Sequence, residues 1–308
     1  ELVLIGYGAG DAINDDAADG TVAIGWNAAG ALTSGAGNIA LGYEAMKTHT
    51  TGSRNMAIGY NAMDDTDGTN ITSGSAATVL SSADNIFIGY DVGGGNWCNG
   101  GAAAASNYNV GIGNYAFAGV LNGALYNSSL GYYALKSLTT GDYNVAIGSL
   151  AGDGITSSSY NTAIGASALS ASAGDANTVL GYAAAVSNTG FHNTALGYAA
   201  MYTSVAVDKC VAVGYSALNF ANTDDADGTT AVGYQAGMNY VPADTGGSAS
   251  GGTTLIGYNA GTDSSATDHG LTTGRQNTAV GHETLGANAG DALTGDSNTV
   301  MGYRAGYA

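Results

Sequence analysis

A chain of 308 residues would ordinarily divide into one to three globular domains, but this one carries 51 Gly, one Pro and only 10% charged residues. Its 6 Lys and Arg against 24 Asp and Glu give a net charge of −18, which argues against nucleic acid or anionic membrane as partner, because both need a basic surface. A 45% hydrophobic content whose aliphatic residues are periodic argues against polyglycine disorder, and no run of about 18 apolar residues is present to span a bilayer.

Aligned on a recurring glycine, the chain falls into sixteen units, at Gly6, Gly25, Gly42, Gly59, Gly89, Gly113, Gly131, Gly148, Gly165, Gly181, Gly197, Gly214, Gly233, Gly257, Gly281 and Gly302. Taking this glycine as position 0, position −1 is always a large aliphatic, from Ile5 to Met301. Position −4 is Asn in eleven units and position +3 is Ala in fourteen, with Val92 and Thr284 as the exceptions. The repeat is most regular from Asn144 to Met201, as in Asn144-Val-Ala-Ile-Gly148 and Asn193-Thr-Ala-Leu-Gly197. Self-similarity at a short fixed period is the signature of a solenoid and outranks local propensity.

The core Asn-x-Ala-Ile-Gly alternates with period two, which predicts a strand. One face carries the aliphatic and the variable residue at −3, the other carries Ala and Gly. The favoured expectation puts the aliphatics inside each coil and turns the small residues toward a close neighbour; the reverse assignment stays open. Sixteen or seventeen residues accommodate two short strands and two turns, so one unit is expected to be one coil. Parallel stacking then sets Asn above Asn, either as a hydrogen-bonded ladder or simply as turn residues that start each strand; the ladder is favoured. Sixteen coils rising about 4.8 Å each predict a rod near 75 Å long. No linker or shift in composition divides the chain, so residues 1–308 read as one repeat domain.

Tyr occupies position +1 in eleven units, from Tyr7 to Tyr303, with Trp26 and His282 in two others. Such a column is either a strip on which sugars stack or a packed column that stiffens the coil; the packed column is favoured. Insertions lengthen the units between Gly59 and Gly89, between Gly89 and Gly113, and after Gly214, Gly233 and Gly257. In solenoids these map to loops, often on one binding face.

Three acidic loops share a pattern: Asp15, Asp16 and Asp19; Asp64, Asp65 and Asp67; Asp224, Asp225 and Asp227, each followed by Gly-Thr. Closely spaced carboxylates beside a turn glycine are what calcium requires, though the full EF-hand spacing and its terminal Glu are missing. The plainer reading is a solvated loop that keeps the rod soluble. Cys98 and Cys210 lie about seven coils apart, roughly 34 Å, so an intrachain disulfide is not expected.

Catalytic signals are weak. His49, His192, His269 and His282 are scattered, and His282-Glu283 lacks the second His of a zinc-protease helix. The chain is therefore read as no enzyme. A three-Thr run at position −3, Thr162, Thr178 and Thr194, is too short to make ice binding the leading reading. Asn70-Ile-Thr72 and Asn127-Ser-Ser129 match the glycosylation acceptor pattern.

These repeats resemble the head repeats of trimeric autotransporter adhesins of the YadA type, and equally the Asn-Thr-Ala-Ile-Gly-Tyr repeats of phage-like tail fibre proteins. The resemblance covers nearly the whole chain. It implies a left-handed parallel β-roll, three chains side by side, and an exterior adhesive role. The units here run from 16 to 30 residues, less uniform than adhesin heads, and no heptad stalk or membrane anchor accompanies them. Glu1, with neither Met nor a signal peptide before it, reads as the start of a processed product or fragment. Both terminal repeats lack a polar cap, so end-to-end stacking into a filament is the alternative assembly. The expectation is an all-β parallel β-solenoid of about sixteen coils. It is expected to be extracellular, on a cell surface or virion, and to act as a structural or adhesive rod. Its partners would be itself, as trimer or filament, and a cell-surface glycan or protein.

Overall fold

Each repeat makes one strand of only three residues, at positions −3 to −1. The structure, a computed structural model, describes residues 1–14, 16–66, 81–97, 104–221, 226–240, 252–262, 274–286 and 295–307. It divides into two compact units, Glu1–Ser159 and Tyr160–Ala308. The first holds β1 (Val3–Ile5), β2 (Val22–Ile24), β3 (Ile39–Leu41), β4 (Met56–Ile58), β5 (Ile86–Ile88), β6 (Val110–Ile112), β7 (Ser128–Leu130) and β8 (Val145–Ile147). The second holds β9 (Thr162–Ile164), β10 (Thr178–Leu180), β11 (Thr194–Leu196), β12 (Val211–Val213), β13 (Thr230–Val232), β14 (Thr254–Ile256), β15 (Thr278–Val280) and β16 (Thr299–Met301). Within each unit consecutive strands pair in parallel and in register, Ala23 beside Ala40 and Val179 beside Ala195. Both units are parallel β-solenoids. Helix among the described residues is confined to 3-10 turns, one at Asp16–Ala18 and one that includes Ala226.

Apart from one isolated parallel bridge between Asn107 and Leu125, the expected second strand of each coil is absent among the described residues. Its place is taken by a tight corner in which positions +2 and +4 adopt the left-handed conformation, as Asn27 and Ala29 do at φ 54° and 50°. Such residues cost on the order of 1 kcal/mol each outside glycine. The corner compensates by bonding in both axial directions: Asn27 N–H donates to Tyr7 O of the preceding coil at 2.8 Å, and Ala29 N–H to Ala45 O of the following coil at 2.9 Å. Backbone polar groups are thus satisfied without a second strand.

The repeated glycine is fixed by the same stacking. It sits at φ between 124° and 149° in every unit, a region closed to residues with a Cβ. A Cβ at Gly181 would also overlap the carbonyl of Gly197 in the next coil, and the other repeated glycines described within each unit repeat that arrangement up to the penultimate one.

The favoured assignment of faces is overturned. Position −2 points inward: Ala23, Ala40, Ala57, Ala146, Ala163, Ala212 and Ala231 have no exposed surface. The aliphatics at −1 point outward, with Leu130 49%, Ile147 40% and Leu180 43% exposed. The cause is the narrow cross-section. Each coil must also hold the −4 Asn, the +3 Ala and the +4 side chain, so −2 has room for little more than a methyl group. Where −2 is large, +4 shrinks: Leu4 lies against Gly10, Phe87 against Gly93, and Val300 against Gly306. Phe87 also displaces its neighbour in the next coil, since a Cβ on Gly111 would approach its ring to 2.6 Å. Its edge-to-face contacts with Trp97 and Phe117, at 5.8 and 5.7 Å, form an aromatic cluster in the interior.

The asparagine ladder is present. Asn55, Asn85, Asn109, Asn127 and Asn144 each donate a backbone N–H to the side-chain oxygen of the preceding ladder Asn at 2.9–3.1 Å. Their amide groups donate again to that oxygen and to a backbone carbonyl of the next coil, as Asn127 does to Gly141 O at 2.8 Å. In the second unit the backbone N–H groups of Asn177, Asn193 and Cys210 donate to the side-chain oxygens of Asn161, Asn177 and Asn193, while the Asn193 amide turns to Asn188 Oδ1 and Val207 O. Cys210 is a free, fully buried thiol whose pKa burial pushes up to about 12; Cys98 lies outside the described residues. Thr21 and Thr229, which stand where Asn would, leave buried hydroxyls without a partner. Asn127 has no exposed surface, so its acceptor pattern is closed to glycosylation in the folded chain. Asn70 lies outside the described residues.

Candidate functional site

Three surfaces emerge from this coil. The first is the outer face of the strands. In β1–β6 and β8 both outward positions are apolar, for example Ile39 with Leu41 and Val145 with Ile147. In β9–β16 position −3 is Thr in every strand but β12, with an aliphatic still at −1. The run Thr230, Thr254, Thr278 and Thr299 is in register. It is longer than the three-Thr run singled out from the sequence, because unequal unit lengths disguise it in the linear chain.

The second surface is the aromatic column at +1. Trp26, Tyr43, Tyr60 and Tyr90 stack with centroids 4.9–5.2 Å apart and interplanar angles of 7–11°. Tyr182, Tyr198, Tyr215, Tyr234, Tyr258 and His282 stack likewise, at 4.8–5.2 Å. A sugar needs a free ring face, and here each inner ring is covered on both faces by its neighbours, leaving edges and hydroxyls to solvent. The packed-column reading holds, and stacking of sugars on this column does not. Between the two runs the column moves: Tyr115, at +2, meets Tyr90 edge-on and stacks on Tyr133 at 4.9 Å.

A second tyrosine column was missed from the sequence. Tyr108, Tyr126 and Tyr143, each directly before a ladder Asn, stack at 4.8 and 4.9 Å with left-handed backbones. The recurrence of Tyr-Asn at 108, 126, 143 and 160 was its available signal. In earlier coils the same corner carries Arg54 and Asp84, joined by a two-pronged ion pair at 2.6 and 2.8 Å.

The third surface is acidic. Asp64 is partly buried beside Asp91, Asp65 and Glu44, with one carboxylate oxygen enclosed and unbonded. Burial first, then the Asp91 and Asp65 charges, raise its pKa to about 7; burial also raises Asp65 and Asp91. A group with a raised folded pKa supplies stability that is whole below its unfolded pKa near 4 and is lost as pH climbs through 7. Asp64→Asn should therefore make the protein more stable than wild type at pH 8, by about 1–2 kcal/mol after allowance for solvent screening. The two should converge near pH 4. Urea midpoints across that range check the prediction.

Of the nine proposed calcium ligands, Asp15, Asp67, Asp224 and Asp225 lie outside the described residues. Asp16 and Asp19 are exposed, and Asp19 accepts from the amino terminus at 2.9 Å. Asp227 accepts from the Asp208 backbone N–H at 2.7 Å, a coil-to-coil rung also made by Asp208 and Asp142. Among the described residues no three His, Cys, Asp or Glu are grouped to hold a metal, and no helix is long and apolar enough to cross a membrane. The insertion segments that were expected to bind lie mostly in 67–80, 98–103, 241–251 and 263–273, also outside the described residues. Comparison with protein-family models, curated proteins and solved structures finds no match.

Proposed function

We propose that the chain is a non-enzymatic structural rod whose copies pack side by side through the outer strand face, in the manner of an adhesin head or tail fibre. One observation carries this reading: a large aliphatic stands outward at position −1 in every coil, with Leu41, Ile112, Leu130, Ile147, Leu180, Leu196 and Ile256 all 38–49% exposed. An apolar strip of this kind along each unit marks a protein interface. The interior of the described residues, by contrast, is filled by Asn, Ala and compensating side chains. The setting is exterior, on a cell surface or virion, and a trimer is the assembly that the repeat resemblance favours. Attachment to a glycan or protein falls to the insertions, because strand faces and corners are occupied by packing. The acidic loops offer calcium a place there.

Replacing 67–80 and 98–103 by short Gly-Ser linkers tests the adhesive part. Loss of binding to a target surface, with unchanged assembly, supports it. Unchanged binding contradicts it.

A further inference from the structure

Rings stacked in van der Waals contact are overlapping π systems, and an electron passes readily between such neighbours. Trp26 lies between Tyr7 and Tyr43, at centroid distances of 6.4 and 4.9 Å and interplanar angles of 13° and 11°. Tyr60 follows at 4.9 Å and Tyr90 at 5.2 Å. Trp26 is 41% exposed, whereas Trp97, the other tryptophan, is fully buried. Of the two indoles, only that of Trp26 is therefore open to a water-borne one-electron oxidant that prefers indole. Tyr43 is 41% and Tyr7 78% exposed, so a phenol proton from either can leave directly to water.

We propose that the Tyr7–Tyr90 stack is a relay for one-electron oxidation that enters at Trp26. The oxidant, a diffusible radical, takes one electron from the indole, which loses its N–H proton to water. The indolyl radical then takes an electron from the Tyr43 or Tyr7 phenol. The indole nitrogen regains a proton from water, and the phenol releases its own, leaving a tyrosyl radical. Further exchange between identical phenols moves that radical along the column without net chemistry. The direction follows because a phenol gives up an electron and a proton at a lower potential than an indole does at neutral pH, which makes the tyrosyl radical the more stable product. The buried Trp97 is spared.

Pulse radiolysis of the full chain with azide radical, which at neutral pH oxidises indole in preference to phenol, tests this. The indolyl absorbance should decay, and the phenoxyl absorbance grow, with one shared first-order rate that does not depend on protein concentration. The double variant Y7F/Y43F keeps the rings and the stack but lacks the phenols, and should lose that fast phase while its melting temperature stays the same. Y198F/Y215F, in the other column, should keep it. A fast phase that survives in Y7F/Y43F, a rate that scales with protein concentration, or the absence of an indolyl signal would each overturn the proposal.

Discussion

Gly181→Ala should destabilise the protein by about 3–5 kcal/mol, and Gly302→Ala by no more than about 1–2 kcal/mol. Both glycines sit at positive φ, 149° and 124°, so both substitutions carry backbone strain. They differ in what the new methyl meets. At Gly181 it overlaps the Gly197 carbonyl, a backbone atom that cannot move without shifting the whole next coil. At Gly302 the nearest atom is the Ala305 Cβ at 3.8 Å, an ordinary contact. Denaturant titration of the two variants separates these terms. Equal effects would mean that conformation alone selects glycine and that the close approach of coils contributes nothing.

The second large effect is expected at the asparagine ladder. Asn127→Ala should cost about 3–5 kcal/mol, because it leaves several buried groups unpaired at once, each worth about 1–3 kcal/mol. The Asn127 oxygen accepts from both the backbone and the side chain of Asn144, and its amide donates to Asn109 Oδ1 and Gly141 O. Asn127 itself is fully buried. The adjacent outward Ser128, exposed on the same strand, provides the comparison: Ser128→Ala should stay within about 0.5 kcal/mol. Calorimetry of both variants checks the difference.

Much of this architecture was readable from residues 1–308 alone. The period gave the coils, position −4 gave the ladder, and position +1 gave a packed aromatic column. Each signal depends on one residue type recurring at one place, which a single sequence displays as clearly as a structure. The direction of the strand faces was read the wrong way round, because large aliphatics usually mark an interior. The deciding clue was covariation inside the repeat: Leu4 with Gly10, Phe87 with Gly93 and Gly111, and Val300 with Gly306. Only two positions that share an enclosed space trade volume in this way.

Other features had weaker signals. Ala29, Met46 and Leu135 adopt left-handed conformations at φ 50–54°, where side-chain preference would not place them. Stacking between coils imposes that geometry, so no local pattern announces it. The environments of the acidic residues have weak sequence signals for a related reason. Asp227 looks like a cation ligand in sequence and also serves as a backbone rung in the coil, and Asp64 owes its raised pKa first to burial and then to Asp91, which belongs to a different coil.

The central claim is that Ala faces in, the large aliphatics face out, and the outward strip joins copies of the chain. Sedimentation equilibrium and circular dichroism of the variant Ile147→Asp/Leu180→Asp/Leu196→Asp, beside wild type, test it most directly. The account predicts an oligomeric wild type and a variant that keeps its β-sheet spectrum and dissociates to monomers. A variant that fails to fold would place these side chains in the interior, and a wild type that stays monomeric at all concentrations would remove the interface; either result contradicts the account.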